Sequence, residues 1–172
     1  MSLENKNILM VVASIGFKDD ECFIPKEILE GRGASVKIAS LNTGRAKSEL
    51  GKEFEIDYAV DTIKPANFDA VVFVGGPGMV DLVREPSFVD LARDFYDAGK
   101  LVAAICVAPL ILAKAGILEG KTATSWPDAA TDLEEAGAEY TGKAVTQTEK
   151  IITANGPAAA KDFAMAIIKA LS

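Results

Sequence analysis

The chain has 172 residues, 49% of them hydrophobic and 25% charged, the composition of a soluble globular protein long enough to bury a full core and not of a disordered one. Its 18 basic and 25 acidic residues leave a net charge of −7, with the lysines and arginines scattered, which argues against nucleic acid or an anionic membrane as the main partner. There is no histidine, and the two cysteines, Cys22 and Cys106, are too few for a disulfide framework or a zinc site.

The segment Met1–Asn7 lacks the charged-then-apolar pattern of a signal peptide, and no apolar run approaches the roughly 18 residues of a membrane span. With no internal repeat or linker, residues 1–172 read as one domain of a cytoplasmic protein carrying free thiols. No transition metal is expected.

In chain order, Ile8–Ser14 is a continuous apolar run, as in a strand covered on both faces. Asp19 and Asp20 open a helix to about Arg32, closed by Gly33, with Phe23, Ile24, Ile28 and Leu29 at helical spacing. A strand is predicted at Ala34–Ser40. From Gly44 to Asp61 a loose alternation predicts a β-hairpin with Phe54, Ile56 and Tyr58 on one face. The strand Ala70–Val74 runs into Gly75-Gly76-Pro77-Gly78, and a helix follows over Ser87–Ala98, ending at Gly99. The strand Leu101–Ile105 leads through Cys106 into a helix over Val107–Gly116, with Pro109 near its start. Short strands near Lys121–Thr124 and Ile151–Ala154, and helices at Ala129–Ala136 and Ala158–Leu171, complete the chain.

Apolar strands alternating with amphipathic helices predict an α/β fold: a parallel sheet with helices on both faces. Ligands of such sheets bind beyond the carboxyl ends of the strands. Glu21, Gly75-Gly76 and Cys106 each follow a strand end, so the topology gathers them on one rim.

Most free cysteines are small buried hydrophobes. Cys106 differs because a strand-to-helix elbow holds its side chain out and points backbone N–H groups and a helix N-terminus at it, both favouring thiolate. Gly75 and Gly76, taken alone, are a turn. Beside a reactive sulfur their backbone can approach a ligand, and the N–H groups of Gly76 and Val107 would stabilise an oxyanion. Asp19 and Asp20 read as favourable charge at a helix start. Glu21, turned inward, would be a carboxylic acid kept neutral by its pocket, donating to the thiolate and exchanging protons. Cys22 reads as core packing, and Trp126 as either packing or a pocket wall.

These residues resemble the ThiJ/PfpI superfamily, with its flavodoxin-like, class I glutamine amidotransferase-like sandwich and nucleophile elbow. The similarity covers nearly the whole chain. Ala103–Pro109 resembles the family's A-I-C-x-x-P elbow, Phe17–Glu21 its F-x-D-x-E, and Val74-Gly75-Gly76 its P-G-G. Ala115–Lys121 and Thr124–Pro127 match later landmarks. The resemblance implies Cys106 and Glu21 as catalytic residues, a homodimer or larger homo-oligomer, and peptidase-like, chaperone-like or glyoxalase/deglycase activity.

Peptidase-like members place a histidine after the nucleophile, where this chain has Val107, and another branch has one near the position of Trp126. Amide cleavage needs a base for the nucleophile and an acid for the leaving amine, so a chain without histidine suits it poorly. Addition of Cys106 to a 2-oxoaldehyde expels no amine, the same chemistry extends to early glycation adducts, and neither route needs a metal or organic cofactor. A glyoxalase III or deglycase is therefore the leading expectation, ahead of a non-enzymatic redox sensor with an oxidisable Cys106 and an intracellular peptidase.

Overall fold

A computed structural model describes residues 1–172. The first apolar run forms β1 (Asn7–Val11), whose Leu9 and Val11 face one side while Ile8 and Met10 face the other. Then come β2 (Ile15–Phe17), α1 (Asp19–Gly31), β3 (Ser35–Ser40), β4 (Gly44–Ser48), β5 (Glu53–Ile56), β6 (Tyr58–Ala59) and β7 (Ala70–Phe73). The second half holds α2 (Pro86–Asp97), β8 (Leu101–Ile105), α3 (Pro109–Lys114), β9 (Thr122–Ala123), α4 (Ala130–Glu135), β10 (Glu139–Tyr140), β11 (Val145–Thr148), β12 (Ile151–Ala154) and α5 (Ala160–Leu171).

The main sheet runs β11-β12-β8-β7-β1-β3-β6, and only the edge pair β11–β12 is antiparallel. Its five longer parallel strands, counted along the chain, lie in the order 2-1-3-4-5. That is the flavodoxin-like winding, whose switch point here falls between β1 and β7. Helices α1 and α5 cover one face, and α2 and α3 the other. The two layers bury 26 and 25 residues, so neither face of the sheet is left to solvent, which is why its strands read as unbroken apolar runs. Phe95 in one layer and Phe163 in the other are fully buried, each contributing roughly 1.5–3 kcal/mol.

Three local expectations are corrected. The run to Ser14 does not continue as one strand: after β1 the chain turns out, and Ile15–Phe17 pairs instead with β4, as the Lys47 N–H donates to the Ser14 carbonyl at 2.8 Å. Tyr58 leaves the face shared by Phe54 and Ile56. Asp57 both accepts the Ile38 N–H (2.8 Å) and donates to the Ile38 carbonyl (2.9 Å), delivering Tyr58 to the main sheet against Phe68. Phe54 stays behind with Phe17 and Phe23, at centroid distances of 5.3 and 6.0 Å. The helix after Cys106 starts at Pro109, with Val107 and Ala108 in the turn before it.

Candidate active site

Three strand ends interlock at the switch point. The Lys18 N–H donates to the Gly75 carbonyl at 3.1 Å, tying the start of α1 to the end of β7. The approach is too close for side chains. A Cβ on Gly76, whose φ is +119°, would lie 2.4 Å from the Lys18 nitrogen. One on Gly75 would lie 2.6 Å from Cys106 Cβ and 2.7 Å from Glu21 Oε1. Two adjacent glycines are what let α1 and the Cys106 elbow meet.

Cys106 is half-buried and adopts φ of +68°, a conformation costing about 1–3 kcal/mol for a residue with a side chain. It is held by hydrogen bonds on both sides: its N–H donates to the Ala154 carbonyl (2.9 Å), and its carbonyl accepts the Trp126 N–H (2.8 Å). The elbow thus fastens β8 to β12 and to the segment carrying the tryptophan, and aims the sulfur at the rim.

Glu21, in the first turn of α1, is fully buried, and neither carboxylate oxygen has a well-formed hydrogen bond within the protein. Its polar neighbours are the Cys106 thiol and the Gly75 N–H. Burial pushes its carboxyl up to about 7, against the downward pull of that thiol, of the Lys18 ammonium and of Gly75. Burial, followed by the charge of Glu21, pushes the Cys106 thiol up to about 12, while the Val107 and Gly76 N–H groups pull it down. The backbone donors expected from the sequence are therefore present at the sulfur, but they do not win. With the helix starting three residues further on and running for only six, its dipole adds little. The pair behaves as one unit that carries a single negative charge between about pH 7 and 12.

The sulfur and Glu21 open into a cavity of about 240 Å³ whose other walls include Lys18, Glu49, Val80, Val107 and Trp126. Gly76 lines it as expected, whereas Gly75 serves the acid–thiol pair from behind, its N–H toward Glu21 and its carbonyl on Lys18. Trp126 is a pocket wall, and Cys22 is core, fully buried with its thiol pushed up to about 12 by desolvation. A larger hollow of about 340 Å³ lined by Asn7, Lys37 and Lys64 lies at the opposite ends of the strands and contains no thiol or perturbed carboxyl. No group of three or more metal-ligating side chains is present, and no helix is long and apolar enough to cross a membrane.

Two contributions escaped sequence reasoning. Lys18 pairs with Glu49 at 3.0 Å across the cavity mouth; both are more than a third exposed, so the pair is worth no more than about 1 kcal/mol. Asp19, read as helix-end charge, is buried: its carboxylate accepts from Ser48 Oγ (2.6 Å) and from the Leu50 N–H (3.1 Å). It clamps the β4–β5 hairpin to α1 and so places Glu49. A contact 29 residues away along the chain leaves no local signal.

The family model described as DJ-1/PfpI matches residues 6–170. The chain belongs to the DJ-1/PfpI family. Among solved structures, a ThiJ/PfpI domain protein of Brachyspira murdochii superposes with a TM-score of 0.95 at 36% identity, covering 98% of this chain and 97% of that one. Drosophila melanogaster DJ-1beta superposes with a TM-score of 0.87 at 32% identity, covering 99% and 91%. In sequence, a deglycase of Pyrococcus horikoshii is 33% identical over 142 residues, 83% of this chain and 86% of its own. The DJ-1/PfpI framework thus extends through the elbow, the double glycine and the first turn of α1, the segments that assemble the Cys106–Glu21 pair.

Proposed function

We propose that this DJ-1/PfpI member is a cysteine-dependent glyoxalase III or deglycase. The observation that carries the reading is the fully buried Glu21 against Cys106, a pair holding one movable proton where no imidazole exists. The charge moves to sulfur as the proton moves to Glu21, and the thiolate adds to the aldehyde carbon of a 2-oxoaldehyde. The carbonyl electron pair moves to oxygen, beside the Gly76 and Val107 N–H groups. Glu21 returns its proton to give the hemithioacetal, then moves one from this carbon to its neighbour, leaving a 2-hydroxy thioester. Water releases a 2-hydroxy acid and restores the thiol. Relatives named deglycases support the same site acting on carbonyl adducts of amines. Peptide hydrolysis is disfavoured by Val107 at the position after the thiol, and oxidation sensing at Cys106 ranks second because relatives of 30–33% identity carry the name deglycase.

The test is conversion of methylglyoxal to lactate by the purified protein. Turnover is expected in the wild type and a fall of about 10³-fold or more in Cys106→Ala and in Glu21→Ala. A wild type with no turnover rejects the reading.

A further inference from the structure

Beside the catalytic cavity lies a second one of about 330 Å³. The two share Val80, Val107 and Trp126 as walls, so the second adjoins the first along these three side chains. Its remaining surface is apolar, from Val83, Leu110 and Ala129, apart from the carboxylates of Asp128 and Asp132. Both aspartates are exposed, and neither is in an ion pair. An adjoining hollow of about 360 Å³ shares Val80, Val83, Leu110 and Asp132 with it and adds Asp81, Arg84 and Lys114, so the cations of this surface line that hollow while the charged groups of the trough are carboxylates alone. A three-carbon oxoaldehyde bound at Cys106 needs none of it.

We propose that this trough is the subsite for the leaving amine of a carbonyl adduct, and that it selects amines whose short aliphatic stem ends in a second, cationic group. The inference rests on the deglycase form of the function above. The stem lies on Val107, Leu110 and Trp126, where burying each methylene is favourable, and the far cation meets Asp128 and Asp132. In the reaction, the Cys106 thiolate attacks the carbinol carbon of the adduct and a C–S bond forms as the C–N bond breaks. The C–N electron pair goes to nitrogen, which takes the proton from Glu21, so the amine leaves neutral and the hemithioacetal enters the route already described. Adducts of di- and polyamines carry the required far cation. Adducts on a protein's lysine side chain end in neutral amides and lack it.

Trp126 is the sole tryptophan and walls both cavities, so its emission reports occupancy without any turnover. The probes are mono-N-acetyl-1,5-diaminopentane and N-pentylacetamide, matched in stem and amide and differing in the terminal ammonium. At low salt the cationic probe is expected to saturate the emission change about tenfold or more tighter, with the advantage shrinking as salt screens the exposed carboxylates. In the double variant Asp128→Asn, Asp132→Asn the two probes should bind alike, while methylglyoxal turnover stays within about twofold of wild type. Equal affinities in the wild type, or no saturable change, overturn the proposal. Loss of methylglyoxal turnover in the wild type would instead strike the proposed function and leave this binding result standing.

Discussion

Replacing Gly75 with alanine is expected to abolish methylglyoxal turnover and to lower unfolding free energy by about 2–3 kcal/mol. The added methyl would sit 2.6 Å from Cys106 Cβ, 2.7 Å from Glu21 Oε1 and 2.9 Å from the Ile105 carbonyl oxygen. Of these, only the carboxyl end of Glu21 can move without shifting backbone. Overpacking of this kind costs about 1–3 kcal/mol, and the upper part of that range applies where two of the three neighbours belong to the strand end itself. Gly75 is not in the positive-φ set, so the effect is one of space and not of conformation. Relief can come only by separating β7 from β8 or by turning Glu21 away from the sulfur, and each dismantles the pair. Gly31→Ala is the control: nothing lies within 4 Å of its Cβ, so urea unfolding and turnover should both stay near wild type.

Glu21→Gln should stabilise the protein at pH 8 while removing its activity. The carboxyl's ordinary value of 4.5 is raised to about 7 in the folded chain, so the folded state binds this proton more tightly than the unfolded one. The corresponding stability is fully present below about pH 4.5 and is lost as pH rises through about 7. A difference of this size corresponds to about 3 kcal/mol, undiminished by solvent because Glu21 is fully buried. Glutamine keeps the shape and carries no ionising proton. The difference in unfolding free energy between variant and wild type should therefore shift by about 3 kcal/mol in the variant's favour from pH 4.5 to pH 8, as measured by urea denaturation at both pH values. A difference that does not change with pH would mean that Glu21 is not held near neutrality by its burial. A site that keeps a carboxyl buried and unpartnered trades stability for a proton that can be moved.

Much of this architecture is written in local pattern. The buried strands and their helices follow from apolar runs and helical spacing, and the rim on which Glu21, Gly76 and Cys106 meet follows from strand order. What the sequence hides is long-range. The polar Val145–Thr148 pairs as an edge strand because β12 offers it a free side, and the two-residue β6, β9 and β10 exist only through their partners. Asp19 reads as a helix-end charge until the hairpin returns Ser48 to it. The ionisation of Cys106 was equally hidden: the favourable N–H groups are local and visible, whereas burial and the charge of Glu21 arise only once α1 packs against the elbow.

The central claim is that Cys106 and Glu21 share one negative charge, and the pH profile of Cys106 alkylation tests it most directly. The rate of iodoacetamide modification, followed by peptide mass from pH 5 to 10, should rise around pH 7 as the pair loses its first proton. It should then level off, because the fraction of pairs with the charge on sulfur is fixed, and climb again only where thiolate formed by loss of the second proton, whose value is about 12, overtakes that fraction. Cys22, fully buried, should remain unmodified, and the break near pH 7 should vanish in Glu21→Gln. A wild-type rate that climbs tenfold per pH unit from 6 through 9, as for a thiol ionising alone, would contradict the shared charge and the mechanism built on it.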